Sequence, residues 1–265
     1  MLEVKLVLLL AILVVGAAGA GLPVWRQNAL RHERILGWGN SFAAGVFLAA
    51  GLVHMLPDAD ETWKELGWTY PMAFVLAAFS FVLMLLVEHV LLPENAHREV
   101  HAPSGERFTG IVEHHGGALA AYAVLTALSI HSLLEGLALG AQPELARALV
   151  ISMAILVHKA AAGFALGVSL ARSHVSSRQA ARLVALFASA TPLGVLIGVF
   201  LGATIEGRLG ASLEAAFLSV AAGSFVYVAT FDILRDEFPG PGGRLAKWSV
   251  LGLGVATMSL LAIWI

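Results

Sequence analysis

The chain of 265 residues contains no cysteine and few charged residues. Without thiolates, disulfides and cysteine metal sites are excluded, so any metal would be bound by histidine, carboxylate, hydroxyl or thioether groups. Charged residues make up 13% of the chain and apolar residues 58%, whereas soluble domains carry about 25% charged residues. This composition is typical of an integral membrane protein and leaves little sequence for a soluble domain.

Apolar runs of about 20 residues, the length of a helix that spans a bilayer, recur along the whole sequence. They predict an all-α integral membrane protein with a single transmembrane domain over residues 1–265 and a loop at 93–116. The first run could instead be a signal-peptide core, but it extends to Trp25 and has only one basic residue, Lys5, near its start. The eight predicted transmembrane helices cover about 2–24, 36–57, 70–92, 117–141, 147–171, 183–204, 211–234 and 249–265.

Basic residues are concentrated in the loops that follow the first, third, fifth and seventh apolar runs. Because cytoplasmic loops of membrane proteins carry an excess of lysine and arginine, this asymmetry assigns those four loops, including 93–116, to the cytoplasm. We therefore expect a multi-pass protein of the cell (plasma or inner) membrane, with both termini on the extracellular or periplasmic side.

The second and seventh runs resemble each other, since Ala43-Ala-Gly-Val-Phe47 aligns with Ala221-Ala-Gly-Ser-Phe225. We call this match the outer repeat. The two runs cross the predicted membrane in opposite directions. This pattern predicts an inverted repeat in a 3+2+3 arrangement, with runs one to three repeated as six to eight and runs four and five as an inner pair. The alternative is a chance match, because such small-residue segments are common in membrane helices.

A second match, the inner repeat, relates runs four and five, where His131-Ser-Leu-Leu-Glu-Gly-Leu-Ala-Leu-Gly140 resembles His158-Lys-Ala-Ala-Ala-Gly-Phe-Ala-Leu-Gly167. Glu135 follows His131 by four residues and therefore shares its helix face. Ionisable residues are costly inside a membrane and are functional candidates by default. Imidazole and carboxylate together indicate a divalent metal site at His131, Glu135 and His158. A buried histidine that only makes an interhelical hydrogen bond is the alternative.

These paired motifs resemble the signature of the ZIP (Zrt-/Irt-like) family of divalent metal transporters, and the resemblance covers nearly the whole chain. Supporting matches are Gly45-Val-Phe-Leu-Ala49 with His54-Met-Leu-Pro-Asp58, Thr191-Pro-Leu-Gly194, and Ala222-Gly-Ser-Phe-Val-Tyr-Val228. Together they are similar to the branch that contains eukaryotic plasma-membrane zinc importers.

The resemblance implies a transporter, not an enzyme, that moves zinc towards the cytoplasm, with Fe²⁺, Cd²⁺ or Mn²⁺ as alternative ions. The metal would be the transported substrate, with no cofactor and no nucleic-acid partner. Helices one, four, five and six would move in elevator fashion against two, three, seven and eight in a homodimer in the lipid bilayer. His131, Glu135 and His158 would be the transport-site ligands.

The chain departs from family members that bind two metal ions. Ser132, Lys159, Ala162 and Thr191 stand at positions where such members carry second-site ligands. We therefore expect a single transported ion, with the Lys159 ammonium in place of a second one. A buried lysine needs a partner, and motif geometry makes Glu135 the expected one. Alternatively, Lys159 snorkels or pairs elsewhere.

Further polar residues predict the ends of a transport path. At the outer side, His54 and Asp58 share one helix face and predict an entrance that attracts cations. At the inner side, Glu88, Asp232 and Asp236, together with Glu237, predict an exit. Both groups could instead be solvated helix ends. A weak, dynamic metal contact is expected in the cytoplasmic loop at His97, His101, His114 and His115.

Two other functions fit a buried metal site less well. An intramembrane metal-dependent hydrolase would need a general base besides its ligands. Glu135 is the only carboxylate near the two histidines and cannot easily serve as both. A metal sensor normally carries an appended signalling domain, for which the eight runs leave no room in these 265 residues.

Overall fold

The computed structural model describes residues 2–25, 33–86, 116–142, 144–173, 175–204 and 207–263, and in these ranges the chain is helical without strands. We number the helices in chain order, treating directly continuous segments as one helix. Within the described ranges they are α1 Leu2–Trp25, α2 Glu33–Glu65, α3 Met72–Leu86, α4 Gly116–Ala141, α5 Leu145–Arg172, α6 Ser177–Thr204, α7 Arg208–Glu237 and α8 Arg244–Leu261.

Six of these helices, α1, α2, α4, α5, α6 and α7, are long and apolar enough to cross a membrane. The described part of α3 is apolar but has 15 residues, and α8 has 18. The prediction of an all-α membrane protein is confirmed at this level. The predicted loop 93–116 lies outside the described residues except for Gly116, which begins α4.

Helices α2, α6 and α8 extend furthest beyond the predicted spans, and α6 begins at Ser177 instead of residue 183. The helical path of α2 does not end at residue 57 but continues to Glu65, shortly before Gly67 adopts a φ of 81°. Pro57 lies inside this continuous helix, directly after the wider turn of the π-helical segment, where the regular hydrogen-bond pattern is already interrupted. Helix α8 begins at Arg244, earlier than residue 249, directly after Gly243 with a φ of 79°.

Helix packing divides the protein into two bundles. Bundle A comprises α1, α4, α5 and α6, with the most extensive contacts between α4 and α6 and between α1 and α5. Bundle B comprises α2, α3, α7 and α8, in which α2 packs on α8 and α3 on α7. The bundles meet mainly where α2 contacts α5 and where α4 contacts α7. The two motif helices, α4 and α5, therefore both belong to bundle A and both face bundle B.

Glycines allow close helix approach inside each bundle, and their partners follow the sequence repeats. Gly45 and Gly223, equivalent in the outer repeat, lie against α8 and α3, while Gly136 and Gly163, equivalent in the inner repeat, lie against α6 and α1. A Cβ atom at any of these four positions would overlap backbone atoms of the facing helix. In both sequence repeats, the two matching glycines thus each allow close approach of a neighbouring helix.

Two π-helical segments interrupt the long helices of bundle B at matching positions. One covers Ala50–Met55 in α2 and the other Val228–Leu234 in α7, and their first residues align in the register of the outer repeat. They contain the candidate path residues His54 and Asp232 respectively. Wider turns of this kind are frequent at functional sites.

Candidate metal centre

Helices α4 and α5 bring three candidate ligands together in the interior. His131 and Glu135 lie one turn apart on α4, and His158 approaches from α5; one ligand atom from each lies within 4.8 Å of the other two. All three side chains are buried, with 1%, 3% and 2% of their surface exposed. Among the described residues, no other group of three histidine, aspartate or glutamate residues could hold a metal ion.

The Glu135 carboxylate lies between the two imidazoles. Its Oε1 is 2.5 Å from Nε2 of His158, and its Oε2 is 3.5 Å from Nε2 of His131. Within the described residues, Nε2 of His131 and Oε2 of Glu135 have no hydrogen-bond partner, although both are buried. Unpaired buried polar atoms are unfavourable. A cation between these two atoms would satisfy both, and two imidazoles with one carboxylate are a donor set that suits zinc.

Helix α7 of bundle B holds the ring of His131 from the opposite side. Its Nδ1 lies 3.3 Å from the carbonyl oxygen of Ala221 and 3.3 Å from Oγ of Ser224. The Ser224 hydroxyl itself donates to the Ala221 carbonyl at 2.8 Å, so both oxygens can accept from the imidazole. A proton on Nδ1 leaves the Nε2 lone pair free to bind metal, as is usual for metal-ligating histidines.

Two phenylalanines cover the centre on the side of bundle B. The Phe225 ring stacks on His131 with centroids 3.4 Å apart and meets the edge of His158 at 5.1 Å. Behind it, Phe47 stacks on Phe225 at 4.8 Å. From the sequence, the segment 221–225 supported only the repeat and the family resemblance. Its match to 43–47 was the signal that could have predicted its place beside the metal centre.

Lys159 occupies the predicted second-site region, together with Ser132 and Thr191. Its ammonium group donates hydrogen bonds to Oγ of Ser132 at 2.7 Å and to Oγ1 of Thr191 at 2.9 Å, and lies 3.9 Å above the ring of Phe187. The expectation that Lys159 pairs with Glu135 is therefore wrong. Lys159 follows His158 by one residue and is turned about 100° from it on the helix, towards α6.

The remaining second-site position, Ala162, is buried one turn beyond His158 and offers no ligand atom. The side chains of all four predicted second-site positions are thus a lysine, two hydroxyls and a methyl group. This set solvates an ammonium ion well but supplies no carboxylate to a second metal ion.

The predicted entrance pair is formed on α2. Nδ1 of His54 lies 3.2 Å from Oδ2 of Asp58; the histidine side chain is 8% exposed and the aspartate side chain 48%. His54 is also near enough to His158 and Glu135 to interact with both electrostatically. The pair thus joins an accessible carboxylate to a buried imidazole on one face of α2.

The predicted exit residues are only partly within the described structure. Glu88 and the four loop histidines, His97, His101, His114 and His115, lie outside the described residues. Asp232 is partly buried in the π-helical segment of α7, and Asp236 is exposed one turn later. The structure thus brings neither aspartate to the three-ligand centre.

Glu237, at the end of α7, is buried among hydrogen-bond donors. Nη1 of Arg172 lies 2.6 Å from its Oε1, and Nδ2 of Asn40 donates to the same oxygen at 2.8 Å. Nζ of Lys247 is 3.8 Å from Oε2 and also donates to the Glu237 backbone carbonyl. Sequence analysis did not anticipate these partners, which come from three other helices.

Comparison with known proteins identifies relatives over nearly the whole chain. The family model described as ZIP Zinc transporter matches residues 2–262. The chain is 31% identical to zinc transporter ZIP2 of Homo sapiens, over 100% of this chain and 99% of the relative. It is 31% identical to zinc transporter ZIP1 of Homo sapiens, over 97% and 90%, and 27% identical to zinc transporter ZIP3 of Bos taurus, over 88% and 87%.

Proposed function

Because the chain belongs to the ZIP zinc transporter family, we propose that it carries zinc into the cytoplasm through one central site formed by His131, Glu135 and His158. The protein is a membrane transporter for a divalent metal ion and not an enzyme. The observation that carries the site assignment is the pair of buried, unpaired atoms, Nε2 of His131 and Oε2 of Glu135, beside His158.

Three protein ligands suit an ion that must be released. A closed site with four protein ligands holds zinc structurally, whereas a site with an open position keeps water or an exchanging group. Conduction and transport require binding that is strong enough for entry and weak enough for departure. The same donor set accepts Cd²⁺ and, less well, Fe²⁺ or Mn²⁺, so these ions compete in the assay below.

Lys159 supports the single-ion stoichiometry. Its ammonium group lies where a second cation would bind in two-metal relatives and is held by neutral hydroxyls and the Phe187 ring. A fixed positive charge in a poorly solvated interior repels a cation at short range. In this proposal the Lys159 ammonium group therefore takes the place of a second metal ion.

The two bundles support an inverted repeat and elevator-type alternating access. Matching glycine contacts and matching π-helical segments follow the same registers as the outer and inner sequence repeats. Backbone-to-backbone approach occurs inside the bundles, whereas Gly39 of α2 meets the side chain of Phe164 on α5. Interfaces made of side chains permit sliding more readily than close backbone contacts at glycines, so the two bundles can slide past each other. Bundle A, which carries the three ligands, is the moving part in this proposal.

The distribution of basic residues supports the orientation, with both termini outside and the loop 93–116 in the cytoplasm. A cell-membrane location and a homodimer complete the proposal. In it, His54 and Asp58 serve the entrance, while Asp232, Asp236 and Glu88 serve the exit. The loop histidines take up released metal.

Purified protein in liposomes with a zinc-sensitive dye inside tests the proposal directly. We expect saturable zinc uptake by the wild type, and loss of it in His131→Ala, Glu135→Ala and His158→Ala, because fewer than three ligands cannot replace the water shell of the ion. His54→Ala should only weaken uptake. Ser152→Ala is the matched control, since its buried hydroxyl on α5 donates only to the Ala148 carbonyl of its own helix.

Two results would contradict the proposal. If liposomes that contain the wild-type protein take up no zinc, the proposed transport is refuted. If two of the three ligand variants take up zinc at nearly the wild-type rate, the assignment of the site is refuted. Competition by Cd²⁺, Fe²⁺ and Mn²⁺ in the same liposomes ranks the selectivity.

A further inference from the structure

Phe47 and Phe225 occupy equivalent positions in the two halves of the outer repeat. In the folded chain they are also in direct contact, with stacked rings 4.8 Å apart at an interplanar angle of 19°. Neither side chain has any exposed surface. Equivalent residues of two repeats can touch each other only close to the axis that relates the repeats, so this pair marks the centre of the molecule.

The pair also separates the metal centre from the rest of bundle B. Phe225 stacks on His131 and meets the edge of His158, while Phe47 lies on the far side of Phe225. An ion at the centre therefore faces two successive aromatic rings. Removing a divalent ion from water into apolar surroundings is very costly, and apolar constrictions block ion passage for this reason.

We propose that Phe47 and Phe225 are the fixed barrier of the transport path, past which the three ligands move when bundle A slides. The inference rests on the proposed transport function. Both rings belong to α2 and α7 of bundle B, so the barrier stays in place while α4 and α5 change position. The ligands lie on the Phe225 side in this structure and on the Phe47 side in the opposite state.

The unpaired ring nitrogen of His158 fits this exchange. Here Nδ1 of His131 lies against the carbonyl of Ala221, whereas Nδ1 of His158 is buried without a hydrogen-bond partner among the described residues. The repeat equivalents of His131 and Ala221 are His158 and Ala43. In the opposite state, Nδ1 of His158 therefore donates a hydrogen bond to the Ala43 carbonyl. Each histidine is thus hydrogen-bonded to bundle B in one of the two states.

A leak that does not depend on the metal ligands tests the barrier. In the zinc liposome assay, His158→Ala alone gives no saturable uptake. Adding Phe47→Ala and Phe225→Ala should restore a flux that rises linearly with zinc and exceeds the His158→Ala background at least about tenfold, because the apolar constriction is gone. Replacing both phenylalanines by leucine in the same background should leave the liposomes tight, since apolar volume is retained.

The control is His158→Ala with Phe81→Ala. Phe81 packs on Tyr227 and Phe231 in the same bundle, with centroids 5.5 and 5.7 Å apart, away from the ligands. An equal leak in this control would show general loosening and overturn the proposal. A folded triple variant whose zinc leak is no larger than that of His158→Ala would also overturn the proposal. Size exclusion and thermal unfolding check that the variant is folded.

If the triple variant does not fold, the zinc leak of the double variant His158→Ala with Phe225→Ala is measured in the same assay and tests the barrier instead. If the wild-type protein shows no uptake that depends on the ligands, the transport function is refuted and the barrier with it. If the wild type takes up zinc but the variant without the two phenylalanine rings shows no leak, only the barrier is refuted.

Discussion

Arg172 and Glu237 form a two-point ion pair that connects the last turn of α5 to the last turn of α7. Nη1 of the arginine lies 2.6 Å from Oε1 of the glutamate, and Nη2 lies 3.4 Å from Oε2. The arginine belongs to bundle A and the glutamate to bundle B. Lys247, the other cation beside Glu237, is in bundle B itself. In the proposed sliding movement the Arg172 pair breaks, whereas the Lys247 contact persists.

Arg172→Gln tests this ion pair as a restraint on movement. We expect the maximal zinc uptake rate to rise a few-fold with an unchanged KM, because the variant weakens a contact between bundles without touching a ligand. Breaking a buried ion pair usually costs about 3–5 kcal/mol, but the arginine side chain is 42% exposed, so the effect here is smaller. Initial uptake rates over a range of zinc concentrations provide the measurement.

Lys247→Met is the matched control, since it removes a charge from the same carboxylate without affecting the contact between bundles. It should lower the unfolding temperature and leave the maximal rate close to that of the wild type. An Arg172→Gln rate equal to the wild-type rate, or a change in KM alone, would argue against a restraint at this position.

Ser224→Ala tests the support that α7 gives to His131. Loss of the hydroxyl leaves the Ala221 carbonyl as the one described hydrogen-bond acceptor at Nδ1, beside the stacked Phe225 ring. Zinc binding should therefore weaken and KM should rise about two- to fivefold, less than the 10–100-fold typical of such partners. The maximal rate should change little, and Ser224→Thr should restore KM because it retains the hydroxyl.

The control for this substitution is Ser219→Ala on the same helix. Ser219 is also buried, and its hydroxyl donates to the Ala215 carbonyl at 2.6 Å, away from the metal centre. A similar rise in KM for Ser219→Ala, or no rescue by threonine, would mean that Ser224 acts only through packing.

The metal count is predicted to be one. Crystals of the zinc-loaded protein should give a single central anomalous peak at the zinc edge, between His131, Glu135 and His158, because Lys159 fills the neighbouring position. Two strong peaks about 4 Å apart, the usual spacing of two-metal sites, would show that the lysine does not exclude a second ion.

The orientation can be tested with single cysteines, because the chain has none of its own. We expect Ser212→Cys, near the start of α7, to react with an impermeant thiol reagent on intact cells. Ser104→Cys, in the predicted cytoplasmic loop that carries Arg98 and Arg107, should react only after permeabilisation, since the loops assigned to the cytoplasm together hold most of the loop lysine and arginine residues. Labelling of position 104 on intact cells would reverse the proposed topology.

Much of the site could be predicted from the sequence because the relevant geometry is local. Glu135 follows His131 by four residues, a spacing that places both on one face of any helix. The second copy of the inner repeat, 158–167, pointed to His158 as the third member, and the structure brings all three together. That these residues bind the transported ion stays a prediction until the variants are measured.

The partners of the charged residues could not be predicted in this way. Lys159 was expected to pair with Glu135, yet Thr191 reaches it from α6, where the Gly136 contact brings α4 and α6 close together. For Glu237 the sequence offered no partner, and Arg172 reaches it from the end of a different helix. Such contacts depend on the relative position of helices, which no local spacing encodes.

By itself, then, the sequence determined that the chain is helical and lies in a membrane, since apolar runs of about 20 residues with few charges match the thickness of a bilayer, and a helix satisfies its backbone there. It also determined the ligand types, because a chain without cysteine offers a buried transition metal mainly imidazole and carboxylate. Only the tertiary structure decided that Phe47 and Phe225 meet, that Ser224 supports His131 and that Lys159 rests among hydroxyls. These contacts join residues of different helices that are distant in sequence, and their geometry is set by glycine-mediated packing between helices rather than by any one helix alone.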